Sequence, residues 1–271
     1  MIALRPRSTA AEGLLRLMAF LFLACLLPAS FALHERSSSA SSSACRLESL
    51  PRTILWAWER PEDLRFLPAG RVGVSFLAAT VTLSADTVMV RPRRNDLHVA
   101  AGTPLVACVR IEIDRQRPPV LSPELATAAS AVVAGSATLT GISAIQVDFD
   151  ATVSERAFYA GLLRDLRRQL PSGMPLSITA LASWCMDDPW IAGLPVDEAV
   201  PMLFRMGPDT ADVRVMLAQG RDFGLPVCRE SIGISTDEKL ADLPAGRRRY
   251  VFNPEGWSPA AVQALIAEEK P

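Results

Sequence analysis

Strand-like segments alternating with helical patterns constrain this chain more than any other feature. Thr53–Trp58 opens the series, followed by Val72–Leu77, Thr87–Arg91, Leu97–Val99 and Leu105–Ile113. Ile142–Asp150, Leu176–Trp184, Ala199–Phe204, Glu230–Ser235 and Tyr250–Phe252 complete it. Between them, Ser122-Pro123-Glu124 carries a cap and a first-turn proline, and Ala-rich sequence then runs to Ala134. From Ser154, the residues Phe158, Leu162, Leu163, Leu166 and Leu170 recur at helical spacing until Pro171-Ser172-Gly173 stops them. Shorter helices are expected at 210–219 and 259–268. Strands separated by helices favour a parallel sheet with right-handed crossovers. About eight such units fit a (β/α)8 TIM-type barrel with some helices short or degenerate. An open doubly wound sheet is the alternative, disfavoured because no Gly-rich phosphate loop follows the first strand. Thr87–Arg91 and Leu97–Val99 are expected to pair as a hairpin turning at Arg94-Asn95-Asp96.

The N-terminus has its own pattern. Arg5, Arg7 and Arg16 precede an apolar run, Leu17–Leu27, and then Pro28-Ala29-Ser30-Phe31-Ala32. This is the layout of a secretory signal cleaved after Ala32. The same run could stay as a membrane anchor, and Phe22-Leu23-Ala24-Cys25 loosely matches a lipoprotein box. The domain reading is therefore a signal or anchor at 1–32, a Ser-rich linker at 33–49 and a single barrel at 50–271. About 225 folded residues are ample for one core. Export, to the periplasm or beyond, would leave Cys45, Cys108, Cys185 and Cys228 in an oxidising compartment, where three disulfide connectivities are open. A net charge of −1 gives no nucleic-acid footprint, and Arg247-Arg248-Arg249 is read as a solvated strand entry.

The chemistry is expected to fall to carboxylates. The chain has 2 histidines, His34 beside the cleavage site and His98 in the expected hairpin. Neither suits a nucleophilic triad or a histidine metal site. The segment Ile145-Gln146-Val147-Asp148-Phe149-Asp150 places Gln146, Asp148 and Asp150 on one strand face and the apolar residues on the other. Two acids on a buried-looking strand are costly unless used. Their Cα atoms should be about 6.5–7 Å apart, and the drier acid should carry a raised pKa suited to proton donation. A partner for a two-carboxylate mechanism would come from another strand, with Glu112 and Glu238 as candidates.

Barrel sites collect at the strands' C-terminal ends. There the sequence offers Trp58 and Glu59, Arg110, Trp184, Met202, Arg205 and Trp257 as substrate-binding candidates. Tryptophan faces stack on sugar rings and carboxylates bind hydroxyls, so a carbohydrate is the expected partner and no cofactor is called for. The alternatives are a non-catalytic carbohydrate-binding barrel and a Mg²⁺ or Ca²⁺ site built from Asp148, Asp150 and Glu112. Asp187-Asp188 is read as a solvated loop capping a short helix at Pro189.

Several of these segments resemble one family. They are Ala144–Asp150, Leu176–Cys185, Val196–Met202, Gly233–Glu238 and Tyr250–Asn253, and they look like the DUF3142 family of bacterial proteins across Leu50–Trp257. That resemblance implies a glycoside-hydrolase-like barrel. A more distant likeness is to chitinase-type barrels of glycoside hydrolase family 18, whose fourth strand ends in an alternating acidic D-x-D-x-E series. By that likeness Asp150 stands at the acid position and Asp148 at the assisting aspartate. Gln146 replaces an earlier aspartate, and Asp150 is one methylene shorter than the usual glutamate. Met202 and Phe204 echo a Met-x-Tyr pair, with Phe204 lacking the hydroxyl.

Overall fold

A computed structural model describes residues 47–268; the basic and apolar N-terminal segment expected to be a signal or anchor, His34, Cys45 and most of the Ser-rich linker lie outside the described residues. The strands are β1 (Thr53–Ala57), β2 (Glu62–Leu64), β3 (Val72–Ser84), β4 (Thr87–Pro92), β5 (Leu97–Val99) and β6 (Leu105–Ile113). They continue as β7 (Ile142–Asp148), β8 (Leu176–Leu181), β9 (Glu198–Met202), β10 (Ser231–Ser235) and β11 (Arg248–Phe252). The helices are α1 (Pro123–Gly135), α2 (Arg156–Gln169), α3 (Thr210–Ala218) and α4 (Pro259–Ala267).

Eight parallel strands close into a barrel in the order β1-β3-β6-β7-β8-β9-β10-β11, with β11 returning to β1. This is the (β/α)8 architecture, with several of its helices reduced. Helices follow β6, β7, β9 and β11, whereas a 3-10 turn at Ala182–Cys185 follows β8 and a loop without helix joins β10 to β11. The helices form where the sequence supplies both a start and an apolar face. Ser122 accepts the Leu125 N–H at the start of α1, with Pro123 in the first turn. Thr152 and Glu155 form a reciprocal capping box ahead of α2. The side chains of Phe158, Tyr159, Leu162, Leu163 and Leu166 on α2 are buried. They share one core with Ile145, Val147 and Phe149 on the outer face of β7. Each fully buried leucine there contributes about 1.5–3 kcal/mol.

Period-two alternation sends the other set inward. Ile54, Trp56, Val106, Ala144, Val200 and Tyr250 fill the barrel, and Leu47 and Leu50 pack beneath them. The Cys185–Cys228 disulfide ties the turn after β8 to the segment before β10, and Cys108 is free and buried.

Three expectations need correcting. The hairpin is formed by β3 and β4 and turns at Ala85-Asp86, while β5 pairs in parallel with β2. β3 is long enough to pass the barrel rim and offer β4 an edge, which local alternation at 87–99 could not reveal. The arginine run is not solvated: the side chains of Arg247 and Arg248 are 7% and 10% exposed. Arg248 points inward and pairs with Glu198, and Arg247 pairs with Asp222. Finally, 189–193 is a turn rather than a helix, and Asp188 is held by Arg156. Among the described residues, no helix is long and apolar enough to cross a membrane.

Candidate functional site

The C-terminal ends of the barrel strands surround a cavity of about 330 Å³. Trp56, Trp58, Phe204 and Phe252 supply its aromatic surface. Arg110, Asp148, Asp150, Thr179, Arg205 and Asp209 supply its polar groups, with Met202 and Met206 between them. The barrel's alternation explains the set. Arg110, Asp148 and Thr179 continue the inward parity of β6, β7 and β8, as Met202 and Phe252 do on β9 and β11.

Asp148 is nearly dry, its side chain 5% exposed, and each oxygen has a donor. Arg110 Nη1 donates to Oδ2 at 2.7 Å, and Thr179 Oγ1 donates to Oδ1 at 2.7 Å. Arg110 also donates from Nε to Glu112 at 3.0 Å and lies 3.9 Å from Asp150. One guanidinium therefore stands among three carboxylates. It occupies the position that a cation bound by Asp148, Asp150 and Glu112 would need. Among the described residues, no group of three or more acids, histidines or cysteines is arranged to hold a metal ion.

Asp150 differs from Asp148. Its side chain is half exposed and accepts no close hydrogen bond, with Arg110 at 3.9 Å its nearest cation. Burial of the carboxyl, and next the charge of Asp148, raise its pKa, and Arg110 opposes them. The upward shift is found on a half-exposed acid that, among the described residues, has no close donor to offset its burial. Directly beneath, the Cys108 thiol is fully buried and pushed well up by burial and by Asp148, so it stays protonated and inert.

The opposite arginine is held differently. Arg205 has a left-handed backbone, φ +50, a conformation that persists in a non-glycine residue when its surroundings fix it. Glu238 accepts the Arg205 N–H at 2.9 Å and Asp237 accepts its Nη2 at 2.8 Å. The guanidinium carbon lies 5.6 Å and 5.5 Å from the Phe204 and Phe252 ring centres, and those rings stack at 5.8 Å. Glu238 thus anchors a loop and does not line the cavity. Glu112 stays outside it as well, bonded to Arg110 where β6 has passed the rim.

The structure accordingly gathers Asp148, Asp150, Arg110, Trp58, Met202 and Arg205 into one cavity. Glu59 is elsewhere, paired with Arg91. Trp184 is buried edge-on against Trp190, and Trp257 is buried with its Nε1 donating to the Trp56 carbonyl at 2.9 Å. Neither tryptophan is a platform, because each closes the space between the barrel and its outer layer.

The sequence reading passed over Thr179, Phe252 and Asp209. The first two follow from strand parity. Asp209 lies in a 3-10 turn after β9, where only the pattern of a helix start marks it.

A deeper layer supports the floor. Trp56 Nε1 and Ser75 Oγ donate to Gln146 Oε1 at 2.9 and 3.0 Å, and Gln146 Nε2 donates to Ser177 Oγ at 3.2 Å. Ser177 and Tyr250 donate to Glu198 Oε2 at 2.8 and 2.9 Å, and Arg248 donates to Oε1 at 2.7 Å. Gly233 leaves room for the indole: a Cβ there would lie 2.9 Å from Trp56 Cη2.

The model of a family described as a domain of unknown function, DUF3142, matches residues 101–203. The match runs from just before β6 to the end of β9, narrower than the Leu50–Trp257 resemblance. It contains Arg110, Asp148, Asp150, Thr179 and Met202, whereas Trp58, Arg205, Asp209 and Phe252 lie beyond it. No curated protein and no solved structure matches the chain.

Proposed function

We propose that this chain is an exported barrel whose rim cavity binds a carbohydrate and whose Asp150 gives that carbohydrate a proton, as in a glycoside-hydrolase-like enzyme. The observation that carries the reading is Asp150 itself. It is a carboxyl with an upward-shifted pKa and no close hydrogen-bond donor, set in an aromatic-walled cavity. A general acid needs a proton retained toward neutral pH and free to leave. Trp58, Phe204 and Phe252 offer apolar ring surface of the kind that sugar faces pack on. In this scheme the Asp150 proton passes to the glycosidic oxygen as its bond to the anomeric carbon breaks, and a water then adds to that carbon and returns a proton to Asp150. Asp148, fixed by Arg110 and Thr179, supplies negative charge beside the developing cation.

Asp150→Asn should abolish turnover of glycosides in a screen with chromogenic substrates while leaving the barrel folded. Undiminished turnover would sink the assignment. A second reading, a non-catalytic carbohydrate-binding barrel, is favoured by one specific observation. Both oxygens of Asp148 are taken, and Glu112 and Glu238 are bonded to arginines, so the expected second carboxylate has other work. Saccharide binding without turnover, persisting in an Asp148→Asn/Asp150→Asn double variant, would select that reading.

Export is supported by the Cys185–Cys228 disulfide, a bond that persists in oxidising compartments. Membrane attachment through residues 1–32 is a variant of the same proposal. Fractionation of cells expressing the full chain distinguishes periplasmic, secreted and membrane-bound forms.

A further inference from the structure

We infer that the cavity selects a protonated amine, so that its carbohydrate is an amino sugar whose nitrogen is free. This rests on the carbohydrate reading above and names the class of that sugar. Charge around the cavity is unbalanced. Arg110 and Arg205 are the cations of the wall, and Asp148, Asp150 and Asp209 are its acids. Glu112 is bonded to Arg110, and Asp237 and Glu238 are bonded to Arg205. With Asp150 holding its proton, five carboxylates (Asp148, Asp209, Glu112, Asp237 and Glu238) stand against two guanidinium groups in and around the cavity. Both arginines are already shared among acids, so neither presents an open fork to an anionic sugar. A uronic acid entering here would meet repulsion, whereas an ammonium group would be drawn in.

Asp209 gives the charge a place to act. It ends the 3-10 turn Gly207–Asp209 and runs into α3 in helical conformation, so its carboxylate is not a cap. Its side chain accepts no helix N–H, and among the described residues no arginine, lysine or histidine pairs with it. A half-buried carboxylate that neither the helix nor a cation uses lines the cavity instead. The same cavity is lined by Trp58, which has no ring partner among the described residues. An unpaired carboxylate together with exposed aromatic faces is a receptor for an ammonium cation. Arg205 over Phe204 and Phe252 already shows these rings accepting a positive charge.

The test is calorimetric titration of the protein with three probes: β-1,4-linked glucosamine hexasaccharide, its fully N-acetylated counterpart and cellohexaose. The expected result is that the free-amine oligomer binds at least tenfold tighter than either of the others. Raising salt from 50 to 500 mM should narrow that gap. Asp209→Asn is expected to bring the amine oligomer to the affinity of the neutral ones, and Asp209→Glu to keep the preference. Equal binding of all three probes overturns the amine inference and leaves the carbohydrate reading standing. Full preference in Asp209→Asn overturns it as well. Binding of none of the probes brings down the carbohydrate reading and this inference together.

Discussion

Replacing Arg110 with methionine tests the electrostatics of the site most directly, because an unbranched apolar stem remains while the charge and its donors are lost. In the native protein Arg110 Nη1 is 2.7 Å from Asp148, whose side chain is 5% exposed against 35% for the arginine. Breaking a fully buried pair costs about 3–5 kcal/mol, because one charge is left without compensation. Breaking an exposed one costs about 0–1 kcal/mol. This pair is dry at one end and wet at the other, and a hydrogen bond to a charged group is itself worth about 1.5–3 kcal/mol. The expected loss is therefore about 2–3 kcal/mol at pH 7. That corresponds to a fall in Tm of about 4–12 °C for a domain of this size. The double variant Arg110→Met/Asp148→Asn should recover most of the stability, giving a coupling energy of about 1.5–3 kcal/mol. Urea denaturation at pH 7 measures all of this. A loss below about 0.5 kcal/mol would show that Arg110 does not compensate Asp148.

Three further outcomes follow from the same geometry. Gly233→Ala forces a methyl to within 2.9 Å of the Trp56 ring, and should cost about 1–3 kcal/mol in denaturation together with a changed near-ultraviolet signal from the indole; an unchanged midpoint would refute the close fit. Cys185→Ser/Cys228→Ser opens a cross-link spanning 43 residues, worth about 4 kcal/mol by loop-closure entropy. Thermal scans with and without reductant should therefore separate wild type but not the variant. Asp150→Asn should stabilise rather than weaken the fold. The native carboxyl holds its proton above the ordinary value of 3.8, so its contribution to stability is full below that value and declines as pH rises through the folded-state pKa. The advantage of the asparagine variant should accordingly grow between pH 4 and pH 7, and a constant difference would contradict the raised pKa.

What the sequence made legible was whatever a single segment decides. Strand parity placed Gln146, Asp148 and Asp150 on one face, and the capping pattern at Ser122-Pro123 and the leucine spacing of α2 located helices correctly. What it concealed depended on partners distant in the chain. Thr87–Arg91 alternates like any hairpin strand, but its partner was decided by the length of β3. Arg248 looked solvated because nothing local shows Glu198, 50 residues earlier, waiting inside the barrel. Trp184 and Trp257 were plausible platforms by composition, yet which tryptophan faces a cavity depends on the layer it closes. Trp56 and Trp58, two residues apart on the inward parity of β1, are the ones that do.

The polar interior explains why glutamine stands at position 146, where the alternating acidic series of the chitinase-type likeness has an aspartate. The residue there must accept from Trp56 and Ser75 and must also donate to Ser177. A carboxylate has no proton for the last of these bonds, and an amide has both functions. The donation matters because the next acceptor is Glu198, completely buried and fed by Ser177, Tyr250 and Arg248. A second anion at 146 would add a buried charge above one that already needs Arg248. Burial holds the Tyr250 hydroxyl in its neutral form, its pKa pushed well up, so it remains a donor to Glu198. The donations from Trp56, Ser75, Gln146, Ser177 and Tyr250 therefore lead toward one anion at the barrel foot, and this chain of donors fixes the indole that forms the cavity floor. At the rim, Asp150, two residues beyond the end of β7, has among the described residues no close donor, whereas Asp148 has two.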